Sequence, residues 1–226
     1  MMKEYHKIDG VYKRDEYSKK VIPVYRNEEF KLLKDAQWYF CEKIDGTNIR
    51  VHWDGHQVEF AGRTDKAQIP NDLLEYLKKT FGGLVNEEIF EQNFGDKDVI
   101  LYGEGYGPKI QAGGNYRDDV SFILFDVQID DIFLKRDDVE AISRKFDIDY
   151  AYTIFIGTLQ QGIDYIKGHP KSLIAKNKDY YMEGIVGRPV VELRDRLGRR
   201  IITKIKWEDI KDLVEGEINN EANNSL

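Results

Sequence analysis

The sequence predicts an α+β fold, mostly antiparallel strands with helices on their outer faces. Three observations carry that expectation. Apolar-alternating runs flank residues 42–48 and resume beyond a tight Asp54-Gly55 turn, as neighbouring antiparallel strands do. Two continuous apolar runs, Val99-Ile100-Leu101-Tyr102 and Phe122-Ile123-Leu124-Phe125-Asp126-Val127, read as buried strands. On either side of them, apolar residues at helical spacing over 70–81 and 137–146 supply helices.

In chain order, residues 1–26 show little periodicity and read as an arm with a short strand or two. Asn27 is placed to cap a short helix carrying Phe30, Leu32 and Leu33. Trp38-Tyr39-Phe40-Cys41 is a strand, and Ile49, Val51 and Trp53 alternate with Asn48, Arg50 and His52 in a half-buried one. Val58 and Phe60 continue after the turn, and 61–65 is a polar loop. Pro70-Asn71 opens a helix on Leu73, Leu74, Leu77 and Phe81, closed by Gly82-Gly83. Asn86 is positioned to cap another through Ile89, Phe90 and Phe94.

After the strand at 99–102, three glycines and a proline surround Glu104, a bend where backbone could approach a ligand. Residues 111–119 read as a mobile glycine-rich loop. Asp137 caps a helix through Val139, Ile142 and Phe146, and 160–177 reads as one or two short helices broken at Pro170. Glu183 opens an apolar strand, a hairpin turns near 195–198, and 201–206 is its second arm. Trp207 begins a closing amphipathic helix to Val214, before a polar tail. This gives an arm at 1–41 within the same domain, a main domain at 42–215 and a tail at 216–226.

Composition narrows the function classes. With 226 residues, 41% apolar and 12% aromatic, the chain can bury a substantial core. No apolar run reaches the ~20 residues of a membrane-spanning helix, so no membrane partner is expected. The start lacks an apolar leader and Cys41 has no second cysteine, which together suggest a reducing cytoplasm. The four histidines lack metal-ligand spacing, so a bound metal would sit on oxygen ligands, as Mg2+ or Mn2+ does. The net charge of −7 argues against indiscriminate coating of nucleic acid. From 188 to 206, however, seven Lys/Arg stand against two acids, a basic ribbon that fits either a phosphate-bearing ligand or a solvated hairpin.

Glu42-Lys43-Ile44-Asp45-Gly46-Thr47-Asn48 places a lysine at a sharp point between strands. An amine with the ordinary lysine pKa of ~10.4 is free in roughly one molecule in a thousand at pH 7, so a nucleophilic lysine needs nearby cations or a metal. Lys204 and Lys206 share one face of their strand, costly unless an anion lies between them. Lys7-Ile8-Asp9-Gly10 repeats four of the letters but has no apolar strand before it.

Taken together, these residues resemble the covalent nucleotidyltransferases, the superfamily of polynucleotide ligases and mRNA capping enzymes. The first motif resembles 42–48, and Gly62-Arg63-Thr64 and Tyr102-Gly103-Glu104-Gly105 resemble the next two. Leu124-Phe125-Asp126-Val127, Glu183-Gly184-Ile185-Val186 and Lys204-Ile205-Lys206 follow in the family's order. Glu42 directly before the lysine, Asn48 ending the motif, and the run from Gly105 to Gln111 are similar to the RNA ligase 2 branch and its bacteriophage relatives.

The resemblance implies a nucleotidyltransferase (ligase adenylation) domain. It also implies an ATP-dependent RNA ligase, with ATP and Mg2+ or Mn2+ as cofactors and RNA ends as substrate, in the cytoplasm or, if phage-encoded, in the host's. By resemblance Lys43 attacks the α-phosphorus of ATP, while Glu183, Lys204 and Lys206 act at the phosphates. Glu104 and Glu183 hold the metal, with Glu104 also at the ribose. Glu42, Ile44, Asn48 and Arg63 contact the nucleotide, the last two alternatively the nucleic-acid end. Phe125 stacks on adenine with Phe122 as its rival on the opposite strand face, and Asp45 either shapes the turn or touches the nucleotide. Arg188, Arg194 and Arg199 are the nucleic-acid contacts suggested by the basic ribbon.

The chain departs from the pattern after Lys206, where 20 residues are too few for the oligonucleotide-binding barrel of DNA ligases and capping enzymes. A minimal DNA ligase, a capping guanylyltransferase and a non-catalytic nucleic-acid-binding module are the competing readings.

Overall fold

A computed structural model describes residues 2–214, and the expected tail at 216–226 lies outside them. The described chain forms two compact units, each drawn from several stretches. Among the described residues, one comprises 2–5, 44–152 and 175–177, and the other comprises 6–43, 153–174 and 178–214. The chain passes from one to the other between Lys43 and Ile44.

The first unit is built on a sheet of six strands: β5 (Thr47–Trp53), β6 (Val58–Ala61), β7 (Val99–Tyr106), β8 (Ser121–Ile129), β9 (Ile132–Phe133) and β10 (Asp149–Tyr150). Their order is β10-β8-β7-β5-β6, with β9 also paired to β8. All pairs are antiparallel except β10 with β8. Helices α2 (Asn71–Phe81), α3 (Leu84–Phe94) and α4 (Arg136–Lys145) complete it.

Leu73, Leu77 and Phe81 recur every fourth residue of α2 and are fully buried with Ile49, Val51, Phe90 and Phe122. Each such side chain contributes roughly 1.5–3 kcal/mol. Gly103 and Gly105 serve this core: a Cβ on the first would stand 2.2 Å from the Phe122 ring, and one on the second 2.3 Å from Leu73. The predicted bend around Glu104 is therefore an unbroken strand whose glycines admit the protein's own side chains.

Other local expectations shift. The helix expected to start at Asn86 starts three residues earlier, with Gly83 at its N-cap, and Asn86 bonds back to the Lys79 and Gly82 carbonyls. Lys135, not Asp137, is the N-cap of α4, and Asp137 lies in its acidic first turn. β5 is buried on both faces, because residues 2–5 cross its polar side: Arg50 bonds the Met2 carbonyl, and Tyr102 on β7 bonds the Lys3 carbonyl. The loop at 111–119 contains a 3-10 turn (Gly113–Asn115) followed by the buried Tyr116.

The second unit carries a five-stranded sheet in the order β1-β13-β12-β4-β11. Its strands are β1 (Asp9–Gly10), β4 (Trp38–Glu42), β11 (Thr153–Gly157), β12 (Gly184–Pro189) and β13 (Thr203–Lys206). A hairpin of β2 (Tyr12–Arg14) and β3 (Val21–Tyr25) stands beside it in sequence, so the arm holds three strands.

Helix α1 (Glu28–Leu32) begins as expected, Asn27 accepting from the Phe30 N–H at 2.8 Å. The stretch at 160–177 holds one helix, α5 (Leu159–Lys167), fixed by a capping box between Thr158 and Gln161. Residues 207–214 form the closing helix. Trp38, Phe40, Ile163, Ile185 and Ile205 make the core of this unit. No helix among the described residues is long and apolar enough to cross a membrane.

Candidate active site

Three adjacent strands of the second unit set the cluster of candidate residues. β12 pairs antiparallel with β4 on one side and β13 on the other. The register places Gly184 opposite Lys206, and the Lys43 N–H donates to the Gly184 carbonyl at 2.9 Å. On the other side, the Trp207 N–H donates to the Glu183 carbonyl at 3.1 Å. Residues 43, 183 and 206 thus form one row at the strand ends. Gly184 is required there, since a Cβ would come within 2.2 Å of the Ile205 carbonyl oxygen.

One carboxylate grips two amines across this row. Lys43 Nζ donates to Glu183 Oε2 at 2.6 Å, and Lys206 Nζ pairs with Glu183 Oε1 at 2.6 Å. All three side chains are mostly sheltered, 15–29% exposed, so the charges are screened less than on an open surface. Ile205 points into the core while Lys204 and Lys206 share the other face, as strand alternation requires.

Glu42, next in line to the nucleophile candidate, turns to the opposite side and is buried. Its carboxylate accepts from the Ser172 hydroxyl and from the Leu173 N–H at 2.9 Å. Burial pushes its carboxyl above the usual range, and these hydrogen bonds oppose the shift. Among its neighbours Glu42 fixes the 172–174 turn; Ser172 was not singled out by the sequence, and nothing local to it could have marked it.

The first unit holds the remaining candidates. Asn48 and Glu104 stand directly opposite each other on β5 and β7. Asn48 Oδ1 is closed off from solvent without a partner among the described residues, a deficit worth about 1–3 kcal/mol that a ligand donor would recover. Gly46 is forced by close approach: a Cβ would lie 2.4 Å from the Gly105 carbonyl oxygen. Ile44 is buried, and the Asp45 N–H donates to the Tyr116 hydroxyl at 3.4 Å.

Arg63 is exposed on a loop anchored by the fully buried Arg50, whose guanidinium donates to the Gly62 carbonyl at 2.8 Å and Asp65 at 2.9 Å. Arg50 and Tyr116 are positioning residues that the sequence reading missed. An arginine amid strand residues of alternating character was the available signal. The two rival phenylalanines are separated: Phe122 is committed to the core, edge-on to Phe81, while Phe125 sits at the β8 bulge with its ring edge-on to Tyr5 at 5.1 Å.

Of the basic ribbon, Arg188 is buried, Arg194 donates to the Gly198 carbonyl, and Arg199 is exposed and paired with Asp195. Arg200 is buried against Glu192. Much of the charge is thus used within the hairpin.

No group of three His, Cys, Asp or Glu side chains able to hold a metal lies among the described residues. Single carboxylates such as Glu183 and Glu104 fit a hard cation that keeps its waters and shares substrate phosphates, and do not fit a closed protein cage.

Residues 36–206 match the RNA ligase family, three quarters of the chain and all of the elements just described around Lys43, Glu104, Glu183 and Lys206. The chain belongs to the RNA ligase family. Solved structures of the Naegleria gruberi RNA ligase share the fold at low identity. A point mutant with ATP and Mn superposes with a TM-score of 0.60 at 15% identity, over 83% of this chain and 54% of that one. The form with PPi gives 0.60 at 18% identity over 82% and 54%, and a mutant with AMP and Mn gives 0.60 at 15% over 84% and 54%. This chain therefore spans about half the length of those ligases. Comparison with curated proteins gave no match.

Proposed function

We propose that this chain performs the nucleotide-transfer chemistry of an ATP-dependent RNA ligase, joining a 3′-hydroxyl to a 5′-phosphate through AMP carried on Lys43. The observation that carries the reading is the Glu183 carboxylate held at 2.6 Å from both Lys43 and Lys206. An exposed structural ion pair gains little, whereas a sheltered lysine–carboxylate–lysine row is poised to exchange its internal anion for a phosphate.

In the first step the free amine of Lys43 attacks the α-phosphorus of ATP. An N–P bond forms, the bond from that phosphorus to the bridging oxygen breaks, and pyrophosphate leaves with the electron pair; one of the two amine protons passes to water. The AMP then passes to an oxygen of an RNA 5′-phosphate, the N–P bond breaking to restore Lys43. Finally a 3′-hydroxyl attacks the activated 5′-phosphorus and releases AMP. Lys206 and Lys204 supply positive charge beside the reacting phosphorus, and neighbouring cations favour the uncharged form of an amine. Glu183 and Glu104, each within its own unit, are the carboxylates proposed as ligands for a divalent ion, which would add neutralising charge at the phosphates.

On the nucleotide side, Asn48 offers its buried oxygen to a donor, Glu104 accepts from the ribose hydroxyls, and Phe125 offers a ring to adenine. Glu42, Ile44 and Arg63 shape or complete that site. Arg194 and Arg199, at the hairpin surface, would meet an RNA strand by giving up their hairpin partners Gly198 and Asp195, and Arg188 supports them from within.

The test is sealing of nicked duplexes that differ only at the 3′-terminal sugar, with ATP and Mg2+. A ribose end is expected to be sealed in preference to a deoxyribose end. Equal sealing of both would move the substrate to DNA, and labelling by GTP alone would move the chemistry to capping.

A further inference from the structure

The basic ribbon turns back on itself between β12 and β13, and the two residues at its tip, Arg196 and Leu197, have no part in the chemistry above. The turn at 195–198 is fixed from within. The Gly198 N–H donates to the Asp195 carbonyl at 2.9 Å, and Gly198 takes φ +77°, a backbone that favours glycine. The Asp195 carboxylate accepts from the N–H groups of Leu197 and Arg199, both at 2.9 Å, and from Arg199 Nε at 2.7 Å. Below the turn, the Ile201 N–H donates to the Leu193 carbonyl at 3.0 Å, and both side chains pack with the core of the second unit.

The exposed arginines of this hairpin are not equivalent. Arg199 is paired with Asp195, and Arg194 donates to the Gly198 carbonyl at 3.0 Å. Arg196 makes no hydrogen bond or ion pair among the described residues, so it meets an anion without first breaking a contact. Its guanidinium fork suits phosphate oxygens. Leu197, 70% exposed, stands next to it in the same braced turn.

The form of nucleic acid follows from what the hairpin lacks. No aromatic residue occurs from Val190 to Arg200, so there is no ring on which an unpaired base could stack. A cation beside an aliphatic side chain matches instead the phosphates and the wide, shallow minor groove of an RNA helix. The row of Lys43, Glu183 and Lys206 lies at the other end of β12, a strand of six residues and so about 20 Å long. At ~3.4 Å per nucleotide along one strand, the hairpin meets the helix roughly six nucleotides from the ends being joined.

We propose that Arg196 and Leu197 form a docking point for the duplex flank of the RNA, Arg196 on a backbone phosphate and Leu197 against the sugars of the minor groove. The inference rests on the reading of the chain as a ligase of RNA ends. Arg196 is then the first arginine of the ribbon to engage, ahead of Arg194 and Arg199. A phosphate contact of this kind fixes where a helix lies and reads no base sequence.

The test is binding of a nicked RNA duplex to the full chain by fluorescence anisotropy across a salt series. Wild type is compared with Arg196→Ala, Leu197→Ala, Arg199→Ala and, as a charge-matched control on α2, Lys79→Ala. All four residues are exposed, so folding should persist, and thermal melts check it. Arg196→Ala is expected to lower affinity about tenfold, as the loss of one charge-assisted hydrogen bond does. It should also reduce the slope of log affinity against log salt by about one. Leu197→Ala should weaken binding about threefold with the slope unchanged, since it removes apolar contact and no charge. Lys79→Ala should leave both quantities as they are.

An unchanged slope in Arg196→Ala overturns the proposal, and a slope lost in Arg199→Ala alone would give the contact to the paired arginine. An equal loss in Lys79→Ala would reduce it to general charge. An equal loss on single-stranded RNA would overturn the duplex assignment. Binding requires no adduct: an Arg196-dependent slope in a chain that never takes up AMP would refute the ligase reading and leave the docking point standing.

Discussion

Lys43-Ile44-Asp45-Gly46 and Lys7-Ile8-Asp9-Gly10 are written in the same four letters and occupy opposite physical situations. Lys43 follows a buried strand, its N–H is tied to the Gly184 carbonyl, and its amine is clamped by Glu183. Lys7 is exposed and makes no hydrogen bond or ion pair among the described residues. Gly46 presses on the Gly105 carbonyl, where a Cβ would come to 2.4 Å, whereas a Cβ on Gly10 would meet nothing nearer than Asp209 at 3.7 Å. The two copies differ in the strand before the lysine and in the carboxylate facing it, so the tetrapeptide alone does not set the lysine's surroundings.

The comparison is broken most sharply by swapping which lysine is removed. Lys43→Ala should abolish AMP transfer to the protein, while Lys7→Ala should still label, as read by gel autoradiography. Next comes the clamp. Glu183→Ala leaves two sheltered ammonium groups without their anion, and the single-turnover rate of labelling should fall on the order of 100-fold, the scale for losing one preorganised electrostatic group.

The glycines sharpen the contrast in stability. Gly46→Ala should cost about 1–3 kcal/mol through overpacking, and Gly10→Ala should stay within about 0.5 kcal/mol, both from denaturant melts.

The smallest effect concerns Glu42, the neighbour that only the Lys43 copy possesses. Burial raises its carboxyl, so the folded chain holds that proton more tightly than the unfolded one. Its stability contribution is then complete below the ordinary carboxylate range and is lost as pH rises through the elevated value. Glu42→Gln, with an amide able to serve both Ser172 and Leu173, should melt higher than wild type at pH 7. That advantage should shrink as the pH falls toward 4.

Much of the row of Lys43, Glu183 and Lys206 is legible in the sequence. Alternation along 201–206 fixes Lys204 and Lys206 on one face, and a carboxylate opening an apolar strand places Glu183 at a strand end. The α+β class followed from the same alternation and from the helical spacing of Leu73, Leu77 and Phe81. What could not be read depends on partners far along the chain. Arg50 looked solvent-facing until residues 2–5 covered its side of the sheet, and Glu42 meets Ser172 across 130 positions. β11 pairs with β4 across more than a hundred residues and carries no turn signal to announce it. The two units interleave along the chain, so no linker composition marks where one gives way to the other.

The most direct measurement is peptide mapping of the protein after incubation with labelled ATP and Mg2+. One AMP per chain should be found, on the peptide containing Lys43, acid-labile as a phosphoramidate is. Label on the Lys7 peptide, or no label on any lysine, would contradict the central claim that the Glu183-clamped amine is the one that carries the nucleotide.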